Sequence, residues 1–362
     1  MSKTRVLLLF GGQSAEHEVS VVSARSVYQA IDFDRYEVVL VGISRTGQWF
    51  LEDGEASLLE QSEVSDGNGF PVQLGAGQRD LVALDGKPVG NAEFDVVFPL
   101  LHGPRGEDGS VQGLLELTGV AFVGAGIAAS AVGMDKELAR AVFAHAGLRQ
   151  TEYLVFRRGA WNANHQGTLE DVEAALRYPL FVKPVNLGSS IGISKVHDTQ
   201  SLESAIDLAA GYDVKIMVEA SVENARELEC AVLGNDDPKA SVIGEIIPGA
   251  EFYDYTTKYI DDHSQLIVPA ELPESISAEI QRMSVDAFRS IDCAGLGRVD
   301  FLLTASGDIF LNEINTMPGF TPISMYPRLW QASGISYPAL IDELIQLALA
   351  RHRETQQISV NR

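Results

Sequence analysis

The feature that most constrains this chain is the stretch 298–324, which reads RVDFLLTASGDIFLNEINTMPGFTPIS. Apolar and polar residues alternate on both sides of Ser306 and Gly307, a pattern typical of two antiparallel strands joined by a tight turn. With those two residues at the tip, Asp300 faces Glu313 across the ladder. Side chains alternate between the faces of a strand, so the sequence predicts that the two acids share one face of the hairpin.

The same register pairs Arg298 with Asn315 on the acidic face and predicts a core on the other face, formed by Val299, Phe301, Phe310 and Ile314. Two carboxylates directly opposite each other, about 5 Å apart at Cβ, repel unless a positive charge lies between them. Carboxylate and amide oxygens suit Mg²⁺ or Mn²⁺ better than zinc. The pattern therefore favours a divalent metal site. A solvated hairpin face stays open as an alternative, because Leu302 and Leu311 fall on the acidic side.

The composition is that of an ordinary globular protein of two or three domains, with 362 residues, 46% hydrophobic and 21% charged. A net charge of −23 without a basic tract argues against nucleic acid and membrane surfaces as partners. Cys230 and Cys293 cannot form a disulfide framework and predict a cytoplasmic location. We expect no signal peptide, because only five apolar residues lie between Arg5 and Gly11. Four glycines interrupt the uncharged run 117–134, so we expect no membrane span there.

Hydrophobic runs and turn residues divide the chain into three parts. The first has strands at 4–10, 36–43 and 95–101 and a helix at 17–30, which predicts a parallel βαβ unit with a ligand crevice at the strands' carboxyl ends. Residues 44–93 are interpreted as an excursion from this unit. The second part is a compact α+β unit with elements at 135–145, 152–156, 168–177, 180–185, 191–197, 199–210 and 214–219. The third begins near 226, includes helices near 274–291 and 338–353, and ends in a frayed tail.

The run AFVGAGIAA at 121–129 mimics a dinucleotide-binding fingerprint, because Gly124, Gly126 and Ala129 follow a strand at the required spacing. The acidic residue expected about 20 residues later is missing, and a turn at 147–150 occupies that window. We therefore interpret this run as a domain junction. A dinucleotide-dependent oxidoreductase is kept only as an alternative.

Two lysines and a loop of small residues predict a phosphate site. Lys183 ends a strand, and Gly188, Ser189 and Ser190 follow in a loop whose backbone N–H groups can approach anionic oxygens. Lys136 opens a helix, where a cation is unfavourable unless a ligand is present. A flexible hairpin tip with a solvated lysine is the alternative. No P-loop, HExxH, paired CxxC or GxSxG motif occurs.

Glu219 and His102 are two further candidates for binding a ligand. Glu219 ends an apolar strand, where its carboxylate can accept a hydrogen from the amino group of adenine, although such an acid is more often a charge at a domain edge. His102 opens the glycine-spaced loop HGPRGEDGSVQG at 102–113, at the sheet edge where ligands bind. It can hold a carboxylate, and a structural role is the alternative for a lone histidine.

In their order along the chain, these motifs resemble those of the D-alanine–D-alanine ligases of the ATP-grasp superfamily. HGPRGEDGSVQG, together with GLGRVDFLL and FLNEINTMPG, resembles the two signature motifs of that family. LFGGQSAEHEVS near the start, MDK at 134–136, FVKP followed by GSSIG, and FYDYTTKY at 252–259 are similar to its other motifs. The six motifs cover nearly the whole chain.

The resemblance implies an α/β and α+β protein with a three-domain ATP-grasp architecture. The domains would be an N-terminal parallel βαβ domain at 1–125, a small central lid domain at 126–219 and a C-terminal mixed-sheet domain at 220–362. It also implies a homodimer and a reaction. ATP phosphorylates the carboxylate of one D-alanine, and the amine of a second D-alanine attacks the acyl phosphate and expels phosphate. The dipeptide is a precursor of bacterial cell-wall peptidoglycan.

The resemblance further implies roles for the residues that match the motifs. Two Mg²⁺ or Mn²⁺ ions would be held by Asp300, Glu313 and Asn315. ATP would be bound by Lys136, Lys183 and Ser190, with Glu219 at adenine and Glu227 at ribose. Arg298 and the backbone N–H of Gly319 would form the oxyanion site. The first D-alanine would be held by Glu16 and His102, and the second by Ser324 and Lys258. Glu16, Ser189 and Tyr259 would form a hydrogen-bonded triad that ties the domains together, with the glycine-rich loop and 250–265 as lids.

One departure from the family pattern is Ala220, because some members carry a lysine there that contacts adenine. That contact is therefore absent or replaced. Tyr259 indicates an amine as the second substrate, since relatives that make D-alanyl-D-lactate carry a different residue at this place. Another ATP-grasp ligase with a different acceptor, such as D-lactate, is the main alternative. A non-catalytic nucleotide-binding regulator would need a damaged metal or phosphate set, and the sequence shows none.

Overall fold

A computed structural model describes the chain at residues 3–52, 57–67, 69–75, 77, 79–247 and 265–359. Within these residues, three β-sheets of eight, four and five strands form the framework. No helix in the same residues has the length and apolar character needed to cross a membrane. The uncharged run 117–134 forms the end of one helix, a short strand and a second helix.

The first sheet contains the predicted parallel unit and extends it. Strand β1 (Thr4–Gly11), helix α1 (His17–Ala30) and strand β2 (Tyr36–Ile43) form the βαβ start. The excursion 44–93 continues the sheet with antiparallel strands and one short helix, namely β3 (Trp49–Leu51), α2 (Ser57–Glu60), β4 (Phe70–Gln73), β5 (Asp80–Ala83) and β6 (Pro88–Glu93). The chain then returns beside β1 as the parallel strands β7 (Val96–Pro99) and, after helix α3 (Ser110–Thr118), β8 (Ala121–Phe122).

Strand β1 is buried on both faces, as a strand in the middle of a parallel sheet requires. Val6, Leu8 and Phe10 belong to one core, which also contains side chains of α1 and of the last helix in the chain. Leu7 and Leu9 belong to a second core on the opposite face. All five are at most 1% exposed, and each such side chain contributes about 1.5–3 kcal/mol of burial energy. This packing fixes the carboxyl end of β1, where the candidate residue Glu16 follows.

The glycines that mimic a dinucleotide fingerprint lie where the first sheet meets the third, just before helix α4 (Ile127–Met134). Gly124 has a φ of +98°, and a Cβ on Gly295 would lie 3.1 Å from the Cα of Gly124. Arg351 from the last helix donates hydrogen bonds to the carbonyl oxygens of Gly124 (2.6 Å) and Phe122 (3.1 Å). The glycines are therefore explained by a close crossing of two backbones.

The second sheet follows helix α5 (Lys136–His145) and is antiparallel. Its elements in chain order are β9 (Tyr153–Arg157), α6 (Arg158–Ala163), α7 (His165–Ala175), β10 (Leu180–Pro184), β11 (Ser194–Val196), α8 (Thr199–Tyr212) and β12 (Lys215–Ala220). One face packs Val182 and Val218 against side chains of α7 and α8. Because side chains alternate along a strand, Lys183 and Glu219 lie on the other face.

One strand of this sheet and one helix packed against it differ from the prediction. The strand predicted at 191–197 is limited to β11, because Ser189, Ser190 and Gly192 have positive φ angles (53°, 56° and 73°) that hold 187–193 as a loop. The helix predicted at 168–177 is α7 and begins three residues earlier. Its N-cap is Asn164, whose side chain accepts a hydrogen bond from the backbone N–H of Gly167 at 3.0 Å.

The third sheet is also antiparallel and carries the acidic hairpin. Its elements are β13 (Arg226–Gly234), β14 (Lys239–Ile247), β15 (Gln265–Ile267), α9 (Glu274–Ser290), β16 (Gly295–Leu303), β17 (Ile309–Asn315), α10 (Met325–Ala332) and α11 (Tyr337–Thr355). The helices predicted near 274–291 and 338–353 are thus confirmed. The core under this sheet includes Ala129 from α4 and Phe143 from α5, so these two helices pack with the third sheet.

The acidic hairpin differs from its predicted form in two places. Its loop contains three residues instead of two, because Thr304 and Asp308 close it and Gly307 adopts a φ of +89°. Asn312 is an extra residue in β17, which makes a β-bulge between the pairs Phe301–Leu311 and Asp300–Glu313. The bulge compensates for the longer loop and restores the predicted pairing of the two acids.

The bulge also exchanges the faces of two apolar residues. Leu311 is fully buried in the core below the sheet. Phe310 is only half-buried, and the guanidinium of Arg149 lies 4.4 Å from its ring centre. The predictions that Phe310 points into the core and that Leu311 shares the acidic face were therefore wrong, because they assumed unbroken alternation along β17. Leu302 does lie on the acidic side.

Candidate active site

A cavity of about 500 Å³ lies between the charged face of the second sheet and the acidic face of the third. Its walls come from β10, the loop 187–193, β12, β13 and the acidic hairpin. Eight of the residues predicted from the sequence line it, namely Lys136, Lys183, Ser189, Ser190, Glu219, Glu227, Asp300 and Glu313. The fold thus brings together side chains that are far apart in the sequence.

The wall formed by the second sheet carries a buried cluster of three charges. Nζ of Lys183 forms an ion pair with Oε1 of Glu219, and Nη2 of Arg140 forms another with Oε2 of the same carboxylate. Burial lowers the pKa of Lys183 below its ordinary value, although the charge of Glu219 opposes this shift. For Glu219 burial favours the neutral form, but the two cations outweigh it and lower the pKa of the carboxyl group. Glu219 is therefore held as a carboxylate with a cation on each oxygen.

Lys136 connects this wall to the acidic hairpin. Its Nζ donates a hydrogen bond to the carbonyl oxygen of Leu187 at 2.7 Å and lies 3.5 Å from Oε2 of Glu313. A cation at the first position of a helix is unfavourable. The N-cap Asp135 offsets it, because its carboxylate accepts hydrogen bonds from the backbone N–H groups of Glu137 and Leu138 at 3.1 Å each.

The opposite wall carries three carboxylates side by side on neighbouring strands. Glu229 on β13 faces Asp300 on β16, which in turn faces Glu313 on β17. Arg298 lies 2.9 Å from Glu229 and donates two hydrogen bonds of 2.7 Å to Asp300. Burial works against the charged guanidinium, but the neighbouring carboxylates raise the pKa of Arg298 well above its ordinary value. Arg298 and Lys136 thus supply the positive charge that the paired acids were expected to need.

The ligand atoms on this wall suit a hard divalent cation. Asp300 and Glu313 offer carboxylate oxygens, and Asn315 has an amide group whose Nδ2 donates to Asp300 at 3.0 Å. In the described part of the chain, no group of three His, Cys, Asp or Glu side chains is arranged to hold a metal ion. An ion bound here would be held by the two carboxylates, by the amide of Asn315 and by oxygens of a bound phosphate. Mg²⁺ is usually held in this way. The residues fit such an ion.

Glu16 joins the first sheet to the loop 187–193. Its Oε1 accepts a hydrogen bond from the hydroxyl group of Ser189. The turn at Gly103 also lies against this carboxylate, since a Cβ there would be 3.0 Å from Oε2. Two members of the predicted triad are therefore in contact. The third, Tyr259, lies outside the described residues, as do Lys258 and the predicted lid 250–265 except for its last residue.

His102 is 4% exposed and lies after β7, between the first sheet and the loop that follows β17. Nε2 lies 3.3 Å from Oγ of Ser23, and Nδ1 lies 3.3 Å from the carbonyl oxygen of Met317 and 3.6 Å from Oε1 of Glu107. Burial disfavours the protonated ring, but the Glu107 carboxylate, with smaller contributions from the Glu16 carboxylate and the Met317 carbonyl, outweighs it and raises the pKa of His102 above its ordinary value. A second cavity, of about 340 Å³, lies beside the ring.

Gly319 and Ser324 lie close together on the loop 316–324. A Cβ on Gly319 would be 3.2 Å from Oγ of Ser324. The same Oγ accepts a hydrogen bond from the backbone N–H of Thr321 at 3.1 Å. Since this loop begins after β17 and contacts His102 through Met317, it connects the acidic hairpin to the side of the site that holds His102.

Three charged residues in the site were missed by the sequence analysis. Glu107 pairs with His102, Glu229 pairs with Arg298, and Arg140 pairs with Glu219. Two of them had local signals, because Glu229 is two residues from Glu227 on the same face of a strand and Arg140 is four residues after Lys136 on a helix. Glu107 lies in the glycine-spaced loop, where its partner depends on the loop's turns.

The arrangement can bind a phosphorylated ligand between two walls of opposite charge. Lys136 and Lys183 provide cations, and the acidic hairpin provides the oxygen ligands for a metal that neutralises phosphate. Glu16 and His102 offer a carboxylate and a ring with a raised pKa to a small zwitterion nearby. These are the parts needed to transfer a phosphoryl group to a small carboxylate.

Two family models match the chain over most of its length. Residues 5–125 match the model described as D-ala D-ala ligase N-terminus, and residues 142–346 match the one described as D-ala D-ala ligase C-terminus. A D-alanine–D-alanine ligase from Bacillus cytotoxicus is 49% identical over 363 residues, which cover 99% of each chain. One from Acetivibrio thermocellus is 47% identical and covers 97% of each chain.

Solved structures give the same result. The D-alanine–D-alanine ligase from Coxiella burnetii has a TM-score of 0.85 at 37% identity and covers 99% of this chain and 97% of its own. The D-Ala:D-Ser ligase VanG from Enterococcus faecalis has a TM-score of 0.85 at 36% identity, covering 96% of this chain and 100% of its own. The similarity therefore extends over all three sheets.

Proposed function

The chain belongs to the D-alanine–D-alanine ligase family, and from that membership we propose how its residues join two D-alanines at the expense of ATP. The products are D-alanyl-D-alanine, ADP and phosphate, and the dipeptide serves cell-wall peptidoglycan synthesis. The observation that carries the proposal is the cavity between the second and third sheets, where Lys136 and Lys183 meet Asp300 and Glu313.

The nucleotide would bind in this cavity. Lys136, Lys183 and Ser190 would contact its phosphates, and Glu227 its ribose, because all four line the wall. Glu219 lies beside Ala220 on the same wall, which suits a contact with adenine. Both oxygens of Glu219 already have cationic partners, so adenine would share this carboxylate with Arg140.

Asp300, Glu313 and Asn315 would hold two Mg²⁺ or Mn²⁺ ions. Ions bound there would neutralise charge on the phosphates of ATP. Without bound ions the acidic face is stabilised by Arg298 and Lys136, because these cations offset the repulsion between the carboxylates. The side chain of Arg298 would then be positioned for negative charge that develops during the reaction.

The first D-alanine would be held by Glu16 and His102. The carboxylate of Glu16 would accept hydrogen bonds from the substrate ammonium, and the ring of His102 would face its carboxylate. An oxygen of that carboxylate attacks the γ-phosphorus of ATP, the bond to the ADP oxygen breaks, and an acyl phosphate and ADP result. The contact between Glu16 and Ser189 would close the loop 187–193 over the site and keep water from the acyl phosphate.

The second D-alanine would be held through its carboxylate by Ser324 and Lys258. Its amine, in the uncharged form, attacks the carbonyl carbon of the acyl phosphate. Arg298 and the backbone N–H of Gly319 would stabilise the oxyanion of the tetrahedral intermediate. The intermediate expels phosphate and the amine nitrogen loses a proton, which gives the peptide bond. Tyr259 would complete the triad with Glu16 and Ser189.

The larger organisation is also a proposal. Three domains at 1–125, 126–219 and 220–362 are supported by a separate sheet in each, and the movable part of the middle one would begin at β9, because α4 and α5 pack with the third sheet. A homodimer and a cytoplasmic location are proposed from the family and from the substrates.

The test is product formation from ATP, Mg²⁺ and D-alanine, measured as phosphate release and as the dipeptide mass. We expect both, in a one-to-one ratio. Phosphate release no greater than that of an ATP-only control would reject the function. A competition between D-alanine and D-lactate near neutral pH distinguishes the alternative acceptor, which would appear as an ester product.

A further inference from the structure

Arg140 is a buried cation to which the mechanism above assigns nothing beyond its bond to Glu219. It lies on α5, about one helical turn after Lys136, and is 2% exposed. Its Nη2 pairs with Glu219, its Nη1 donates to Oγ1 of Thr151 at 3.0 Å, and its guanidinium lies 5.0 Å from the ring centre of Tyr153. These contacts come from β12 and from the start of the second sheet, so they fix the guanidinium in one place.

The charges around Glu219 do not balance. Lys183 and Arg140 each contact one oxygen of this single carboxylate, and the three residues are 5%, 2% and 6% exposed. The adjacent pair of Lys136 and Glu313 is neutral as a unit. A buried cation without a full counter-charge is costly. This wall therefore has a surplus positive charge, which faces the excess of carboxylates on the acidic wall and which can attract a phosphate bound between them.

The two cations differ in their access to the cavity. Lys183 and Glu219 line the cavity, whereas Arg140 is not among the described residues that line it. A ligand can therefore attract Lys183, whereas Arg140 stays bonded to Glu219, Thr151 and Tyr153. The structure thus contains one cation that is accessible and one that is fixed, both on the same carboxylate.

We propose that Arg140 is a positioning residue for the nucleotide, which keeps Glu219 neutralised so that Lys183 can leave it for a phosphate oxygen. The inference rests on the proposed function, because it takes the anion to be ATP. Without Arg140, moving Lys183 to a phosphate would leave a buried carboxylate unpaired, which is strongly unfavourable. The lowered pKa of Lys183 agrees with this role, since a phosphate would restore the charge stabilisation that burial removes.

The test is ATP affinity measured by calorimetry on the full chain, with Mg²⁺ and without D-alanine. Arg140→Met should weaken ATP binding about tenfold or more, because Lys183 then remains on Glu219. In the Glu219→Gln background the same substitution should change the affinity by no more than about threefold relative to Glu219→Gln alone, since a neutral amide no longer retains Lys183. Arg140→Lys keeps the charge and should stay within about threefold of the wild type.

Loss of the Arg140→Met effect in the Glu219→Gln background is the decisive result, because a purely structural defect would persist in that background. The proposal is overturned when Arg140→Met binds ATP like the wild type, or when Arg140→Met weakens ATP binding as much in the Glu219→Gln background as in the wild type. Arg140→Gln, which can still bond to Thr151, replaces Arg140→Met when thermal unfolding shows that the latter does not fold. Dipeptide formation by the wild type tests the proposed function separately, so the two failures are distinguishable.

Discussion

At the scale of single residues, Arg298 shows how a side chain can stabilise an acidic face before any ligand binds. It lies between Glu229 and Asp300 and contacts both. These two carboxylates face each other across the ladder, and Asp300 also faces Glu313. Because its position is fixed from two sides, the guanidinium needs little reorganisation to stabilise a new negative charge nearby.

The acidic hairpin gives a direct prediction for Glu313. Glu313→Gln removes one charge from the pair with Asp300 and weakens the proposed metal site, so turnover should fall by about 100-fold or more. The free energy of unfolding should change by less than ~1 kcal/mol, because the side chain lies on the cavity wall and keeps its shape. Steady-state phosphate release and thermal unfolding measure the two quantities.

Asp308→Asn is the matched control for Glu313→Gln. It removes one carboxylate charge from the same hairpin, but at the loop, where Asp308 pairs with Arg149 at the surface. Turnover of this variant should stay near the wild-type value. Near-normal turnover in Glu313→Gln would count against the proposed metal site.

His102 gives a prediction about protonation. The Glu107 carboxylate raises the pKa of His102. Glu107→Gln should therefore lower the pH at which the ring titrates, because burial, which disfavours the protonated ring, is then opposed less strongly. An NMR titration of the ring signals measures this. Glu116→Gln, an exposed acid on α3, is the control and should leave the midpoint unchanged. A midpoint that stays or rises in Glu107→Gln would contradict the assignment.

The sign of the linked stability follows from the same shift. A histidine whose pKa is higher in the folded chain stabilises the fold at pH values below the ordinary value of about 6.5, and this contribution is lost as the pH rises through the raised value. The gap in unfolding free energy between the wild type and His102→Gln should therefore shrink as the pH rises above about 6.5. Denaturant titrations at a series of pH values measure the gap, and a gap that grows with pH would contradict the sign.

At the scale of elements, the crossing of two backbones at Gly295 predicts a cost for any side chain. Gly295→Ala would place a Cβ 3.1 Å from the backbone of Gly124 at a φ of +75°. We expect a loss of about 1–3 kcal/mol in unfolding free energy, measured by denaturant titration. Gly307→Ala has a similar φ of +89° with open space around it, and it should cost less. Equal losses in both variants would mean that the contact with Gly124 adds nothing.

Local patterns predicted most elements, and they failed where the backbone departs from regular geometry. The parallel strands and the helices of 17–30 and 136–145 follow from apolar runs and turn residues, which act within a few positions. The bulge at Asn312 and the left-handed conformations of Ser189 and Ser190 leave no such periodic signal. For this reason the face of Leu311 and the length of β11 could not be predicted.

At the scale of the whole molecule, the site depends on contacts between distant parts of the chain. Lys136 meets Glu313, and Glu16 meets Ser189. No pattern within the sequence states such pairings, and the link between Glu16 and Ser189 was expected only from the family resemblance. The structure supplies the physical reason, because the second sheet faces the third across the cavity and its loop 187–193 contacts Glu16 after β1.

The contact between Glu16 and Ser189 predicts a change in both dynamics and rate. Ser189→Ala removes the hydroxyl that bonds to the Glu16 carboxylate. Turnover should fall about tenfold, as expected for the loss of a hydrogen bond to a charged group. Hydrogen exchange of the amides in 187–193 should become faster, because the loop loses its link to the first sheet.

Ser204→Ala is the control for this variant, since Ser204 lies on α8 of the same unit and its hydroxyl, within the part of the chain that the structure describes, bonds only to the carbonyl oxygen of Gln200 in its own helix. Neither turnover nor exchange in the loop should change there. Unchanged exchange in Ser189→Ala would show that the loop is held by other contacts.

The core shared by β1 and the last helix has a consequence for how the protein is made. Val6 and Leu8 of β1 belong to the same core as Leu340 and Ile341 of α11, although the two elements are far apart along the chain. A growing polypeptide that has not yet reached residue 337 leaves part of the apolar surface of β1 exposed to solvent. The core around β1 therefore cannot be completed until α11 has been synthesised, and chaperones would be expected to shield the apolar surface until then.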